Sequence, residues 1–92
     1  MQIRIKLTAQ LRRLAQLNYF DLDLESTTSV DHMVQMVANQ GTEELRQALL
    51  DESRVVRSSI LVFVNNELAN LSQPAEWTEQ TDVVLTTLVS GG

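Results

Sequence analysis

Cysteine is absent from the 92 residues, which excludes a disulfide, a thiolate metal site and a cysteine nucleophile. Proline occurs once, at Pro74, inside a Ser72-to-Glu79 stretch that reads as loop. Glycine occurs only at Gly41, Gly91 and Gly92, which rules out a glycine-rich loop cradling a phosphate. The single histidine, His32, lacks the partners a metal site or a general base requires, and beside Asp31 it reads as a solvated surface residue. No apolar run approaches the roughly 18 residues a membrane span needs. The opening Met1-Gln2-Ile3-Arg4-Ile5-Lys6 alternates like a strand and lacks the pattern of a signal peptide. A soluble cytoplasmic protein is therefore expected, with no membrane contact.

Positive charge is also scarce. Seven Lys and Arg face twelve Asp and Glu, for a net charge of −5, and no basic residue follows Arg57. Nucleic-acid binding, which draws on clustered basic residues, is disfavoured. The acids of the later half, Glu67, Glu76, Glu79 and Asp82, suit either a basic partner surface or plain solubility. The pairs Glu43-Glu44 and Asp51-Glu52 read as solvated helix ends, not as catalytic carboxylates.

What is present is regular patterning. Ile3, Ile5 and Leu7 alternate with Gln2, Arg4 and Lys6, the spacing of a strand with one buried face. From Thr8 to Leu17 the spacing changes, and Leu11, Leu14, Ala15 and Leu17 predict a short helical turn and loop. Tyr19 to Glu25 alternates again, with Phe20, Leu22 and Leu24 inward, which predicts an antiparallel hairpin with the first strand. Thr28 followed by Asp31 resembles a capping box, and Val30, Met33, Val34 and Val37 then fall on one stripe of a helix. Gly41 should end that helix in a left-handed conformation. A second helical segment starts near Thr42-Glu43-Glu44, with Leu45, Ala48 and Leu49 as its stripe.

Ile60 to Val64 is continuously apolar and reads as a buried central strand, followed by a tight Asn65-Asn66 turn into Glu67-Leu68-Ala69. Trp77 is expected to cover one edge of the core, and a last strand to run from about Asp82 to Val89. The order β-β-α-(α)-β-β-β predicts one α+β domain over residues 1–92: a mixed sheet of about five strands, with one main helix and one short helix on one face. The first and last strands should pair in parallel at the centre. On the last strand, burial of Val83 and Leu85 turns Val84, Thr86 and Leu88 outward. With Leu68 they form the candidate patch for a partner protein.

The other candidate feature is Gly91-Gly92, which follows that strand with no linker. Glycine enters slots too narrow for a side chain, and an α-carboxyl with a pKa of about 3.3–3.7 is an anion at neutral pH. If another protein binds and neutralises a nucleotide, such a carboxylate can attack its α-phosphorus.

The strand Ile60-Leu61-Val62-Phe63-Val64 with Asn65-Asn66-Glu67-Leu68, then Thr81-Asp82-Val83-Val84-Leu85 and Ser90-Gly91-Gly92, resembles the MoaD/ThiS sulfur-carrier family of ubiquitin-like proteins. So do the Ile-Arg-Ile-Lys-Leu strand and the segment around Leu11-Arg12-Arg13-Leu14. The family often has glycine where Asn66 stands, and many molybdopterin-synthase small subunits have Pro-Pro where Thr87-Leu88 stands.

The resemblance implies a β-grasp fold with a flexible tail over about residues 89–92. It implies that an E1-like enzyme uses Mg-ATP to adenylate the Gly92 carboxylate, which a persulfide sulfurtransferase then converts to a thiocarboxylate. Ser90 and Gly91 would thread the partner's channel. The acceptor enzyme would be a molybdopterin synthase large subunit or, next, a thiazole synthase. The chain itself would bind no cofactor or metal and would not be catalytic alone, although it could be the small subunit of a synthase. Two other readings stay open: a ubiquitin-like modifier joined to lysines through Gly92, and a β-grasp binding module with an inert tail.

Overall fold

The computed structural model describes residues 1–72 and 75–88. The expected tail Ser90, Gly91 and Gly92, the loop residue Pro74 and the strand end Val89 lie outside the described residues. Eight elements follow in order: β1 (Gln2–Leu7), α1 (Ala9–Ala15), β2 (Tyr19–Asp23), α2 (Val30–Gln40), α3 (Glu43–Leu49), β3 (Ile60–Val64), β4 (Glu67–Leu68) and β5 (Val83–Thr87). The strands form one mixed sheet in the order β2-β1-β5-β3-β4. β1 and β5 are parallel neighbours at its centre, with Ile5 level with Val83 and Leu7 with Leu85. Every other pairing is antiparallel.

Period-2 alternation divides the sheet into two faces. Ile3, Ile5, Leu7, Phe20, Leu22, Ile60, Val62, Val83 and Leu85 are buried and point to one side. There they meet Leu11 and Ala15 of α1, Val30, Met33, Val34, Val37 and Ala38 of α2, and Leu45 and Leu49 of α3 in a single core. The helices thus all cover one face, as the patterning predicted. The segment around Leu11 forms a complete helix, which gives three helices where one main and one short helix were expected. Gln16, at a φ of 60°, then closes α1 in the left-handed region.

Four local expectations are corrected. The cap of α2 is Ser29, whose hydroxyl accepts from the His32 N–H at 3.0 Å, and not Thr28 one residue earlier. Thr28 is buried instead: its Oγ1 accepts from the Glu25 N–H, and its carbonyl accepts the indole N–H of Trp77 at 2.7 Å. Trp77 is only 4% exposed, so it is part of the core and not merely a cover at its edge.

Gly41 ends α2, but with φ −91° and ψ −171°, an extended conformation open to any residue. Glycine is needed there for space. A Cβ at this position would lie 2.6 Å from Leu45 Cδ2 and 3.3 Å from Phe20 Cζ. The fourth correction concerns β3, which is not covered on both faces. Ile60 and Val62 are buried, whereas Leu61 and Phe63 remain half-buried on the side away from the helices.

The crowding at Gly41 generates a stability prediction. Leu45 is fully buried, so its side chain must shift within the core to admit a methyl group, and the Val37 carbonyl also lies 3.3 Å from the added Cβ. Gly41→Ala should therefore destabilise the fold by about 1–3 kcal/mol, as overpacking does. That corresponds to a Tm lower by roughly 4–8 °C per kcal/mol for a domain of this size. An unchanged or raised Tm on thermal denaturation would contradict the packing argument.

Candidate functional site

The sheet face turned away from the helices is divided chemically. Its β1–β2 half is charged. Arg4 donates from Nε to Asp21 Oδ1 at 3.0 Å and from Nη2 to Oδ2 at 3.3 Å, and its guanidinium lies 3.8 Å over the Tyr19 ring. This hydrogen-bonded pair raises the Arg4 pKa and holds the Asp21 carboxyl below its ordinary value. Lys6 pairs with Asp82 at 3.0 Å. All these groups remain substantially exposed, so they shape the surface more than they stabilise the fold.

The β3–β4–β5 half is apolar. Phe63 lies between Leu68 on β4 and Val84 on β5, and Leu61 faces Thr86. Val84 and Thr86 are half-buried, and Leu68 is 62% exposed. Val84, Thr86 and Leu68, chosen from the sequence, therefore do share one surface. Leu88 lies one residue beyond β5, 61% exposed, with its N–H donating to the Ser59 carbonyl at 2.7 Å. The patch contains two residues the sequence reading missed, Leu61 and Phe63. Their signal was available: with Ile60 and Val62 inward, period 2 sends 61 and 63 outward even in an unbroken apolar run.

The β3–β4 turn frames one end of this patch. Asn65 and Asn66 adopt φ values of 52° and 68°, as a two-residue hairpin turn requires. Asn65 is also bonded to the start of β5. Its N–H donates to the Asp82 carbonyl at 2.7 Å, and its Oδ1 accepts from the Asp82 N–H at 2.9 Å. The turn thereby fixes the level at which Val84 stands beside Phe63.

The face is suited to contact and offers little for proton transfer. Among the described residues no group of three or more His, Cys, Asp or Glu could hold a metal. His32 is exposed on α2, and Glu43 is engaged by Arg46, whose hydrogen bonds lower the Glu43 pKa. A shallow cleft of about 540 Å³ lies between the β3–β4 turn and residues 75–78. Glu67 and Glu76 are the charged groups lining it, and both repel a phosphate.

The arrangement was compared with known proteins. No family model matches the chain, and no curated protein sequence matches it. Solved structures do match over the full length. SAMP1 from Haloferax volcanii superposes with a TM-score of 0.85 at 21% identity, covering 100% of both chains. The small archaeal modifier protein 1 of Methanosarcina acetivorans gives 0.78 at 17% identity, covering 99% of this chain and 96% of that one. A protein described as molybdopterin converting factor, subunit 1, from Pyrococcus furiosus gives 0.73 at 15% identity, covering 97% and 99%. Likeness at these identities establishes the fold, a ubiquitin-like β-grasp, which is the fold the sequence resemblance implied.

The Asn65 lock can be tested directly. Asn65→Ala removes the Oδ1 acceptor and places alanine in the left-handed region, a conformation that alone costs roughly 1–2 kcal/mol. Asn66→Gly should be neutral or stabilising at the same kind of torsion. Chemical denaturation of the two variants should separate them in that order, and equal stabilities would contradict the assigned turn.

Proposed function

We propose that this protein is a ubiquitin-like sulfur carrier that acts through the carboxylate of Gly92. The observation that carries the reading is the exit of β5. This central strand leads out at Leu88 beside an uncovered apolar face, and Gly92 follows four residues later. Four residues span about 13–14 Å when extended, at 3.3–3.6 Å each. A partner resting on Leu61, Phe63, Leu68, Val84 and Thr86 could thus receive Leu88 and the tail in a deeper channel. Gly91 and Ser90 suit a narrow passage because they carry little or no side chain.

The chemistry then divides between two proteins. An E1-like partner holds Mg-ATP, for which the β-grasp chain has no glycine loop. A Gly92 carboxylate oxygen attacks the α-phosphorus, pyrophosphate departs, and an acyl-adenylate forms. The terminal sulfur of a persulfide on a sulfurtransferase attacks the acyl carbon and displaces AMP to give an acyl disulfide. A second partner thiol then cleaves the S–S bond, becoming part of a disulfide and releasing a thiocarboxylate for the acceptor enzyme. That acceptor would be a molybdopterin synthase large subunit in the first instance, or a thiazole synthase. The protein would work in the cytoplasm as a co-substrate and not as a catalyst; no helix among the described residues is long and apolar enough to cross a membrane.

A second reading, conjugation of Gly92 to lysines of target proteins, is favoured by the likeness to proteins called modifiers. It shares the adenylation step. Ladders of higher-mass species reactive with an antibody to this chain would mark it.

ATP–pyrophosphate exchange with the E1-like enzyme tests the shared step. The full chain should support exchange, and a chain lacking Gly92 should not; equal exchange would overturn the proposal. Leu88→Asp should keep the fold and reduce exchange about ten- to a hundredfold, the equivalent of losing one 1.5–3 kcal/mol apolar contact. Unchanged exchange would remove Leu88 from the contact surface.

A further inference from the structure

We propose that the free edge of β2 accepts an extended basic segment of a partner protein as a further strand of the sheet. β2 is the outermost strand on its side. Its bonding to β1 is fixed at both ends. The Met1 amine donates to the Leu24 carbonyl at 2.9 Å and the Leu24 N–H to the Met1 carbonyl at 2.8 Å, while the Leu7 N–H donates to the Asn18 carbonyl at 2.9 Å. Alternation between these points makes Leu22 with Ile3, and Phe20 with Ile5, the hydrogen-bonded pairs. The backbone N–H and C=O groups of Tyr19, Asp21 and Asp23 therefore point away from β1, and among the described residues nothing bonds to them. An open row of this kind is a template for another strand.

The side chains beside the row select what pairs there. Tyr19, Asp21 and Asp23 lie on the outer face of the sheet, and the Asp23 side chain is 90% exposed. Asp21 accepts from Arg4 with both oxygens, but a carboxylate has about four lone-pair positions, which leaves room for a second cation. β1 shows the chemistry that β2 accepts on its other side. It runs antiparallel with Ile3 and Ile5 alternating with Arg4 and Lys6, and Arg4 stands opposite Asp21. A guest strand of the same alternation would set basic residues opposite Asp23 and Asp21 and an aromatic one opposite Tyr19. Its intervening β-branched residues would turn to the helix side, beside the buried Leu22 and Phe20.

A second copy of this chain fits poorly. Antiparallel pairing of β2 with β2 over its full length sets Asp21 against Asp21, and like charges directly opposite are destabilising. The acids thus guard the edge against self-association while leaving it open to a basic strand. β1 and β5 separate β2 from β3, which at about 4.8 Å per step is roughly 14 Å. A guest on the β2 edge would leave Leu61, Phe63 and Val84 uncovered, so one partner can hold the chain while another takes the apolar face. The edge site does not depend on activation of Gly92.

The test titrates the isotope-labelled full chain with the peptide Thr-Lys-Val-Lys-Val-Tyr-Thr, up to millimolar concentration, by NMR. Amide shifts should appear at Tyr19, Asp21 and Asp23 and spare Leu61, Phe63 and Val84. Replacing both peptide lysines by Glu should weaken binding roughly tenfold or more. The Asp21→Asn, Asp23→Asn double variant should weaken it about three- to tenfold, as the loss of two exposed ion pairs would. Methylating the backbone nitrogens of the peptide's Lys and Tyr residues keeps every charge but removes the donors a new strand needs, and should abolish binding. Undiminished binding of the methylated peptide would reduce the contact to charge attraction and overturn the inference. So would the absence of shifts at millimolar peptide, or shifts confined to β3, β4 and β5. Dimerisation of the chain alone through Tyr19–Asp23 would overturn the choice of occupant.

Discussion

The parallel pairing of β1 with β5 is the constraint on which the other features depend. It brings the two sequence-distant strands to the centre of the sheet, where Ile5, Leu7, Val83 and Leu85 are almost completely buried. Parallel neighbours cannot be joined by a tight turn, and the long stretch between them supplies the three helices on one face as well as β2, β3 and β4. The same pairing orients β5 so that it leaves the sheet at the end where β1 finishes. Beyond Leu85, β5 continues past the end of β1, paired with β3 and, at Leu88, bonded to Ser59. The direction in which β5 leaves the sheet at Leu88 is therefore a consequence of core packing.

One-sided coverage follows from that arrangement and supplies the surface. With all three helices beneath the sheet, the outer side chains of five strands face solvent. On β1 and β2 these include the paired charges Arg4, Asp21 and Lys6, while on β3, β4 and β5 they are mainly apolar, with Thr86 beside Leu61, Phe63, Leu68 and Val84. The boundary runs between Lys6 and Val84, register partners on adjacent strands. The apolar strip lies beside the point where β5 ends. Asp82 joins the two halves: its backbone bonds the β3–β4 turn through Asn65, and its carboxylate pairs with Lys6.

Much of this architecture was legible in the sequence because each signal was a strict period. The alternation of Ile3, Ile5 and Leu7, the α2 stripe from Val30 to Val37 and the positive-φ turn at Asn65-Asn66 all took their expected forms. The errors arose where one residue type serves two physical ends. Gly41 was read as a source of left-handed torsion, whereas its backbone is extended and a Cβ there would crowd Leu45 and Phe20. Thr28 was read as a cap, but a carbonyl needed by the buried Trp77 indole shifts the cap to Ser29. Packing of this kind involves residues far apart in sequence, and local pattern does not report it. The unbroken apolar run of β3 concealed the outward Leu61 and Phe63, since composition alone does not distinguish core from contact surface.

The account stands or falls on Gly92 carrying the chemistry. The most direct measurement is the intact mass of the protein after incubation with an E1-like enzyme, Mg-ATP, a persulfide donor and a thiol reductant, with fragmentation to locate any change. The account predicts replacement of one oxygen by sulfur, confined to Gly92. An unchanged mass in a mixture that turns over ATP, or a sulfur adduct located elsewhere in the chain, would contradict it.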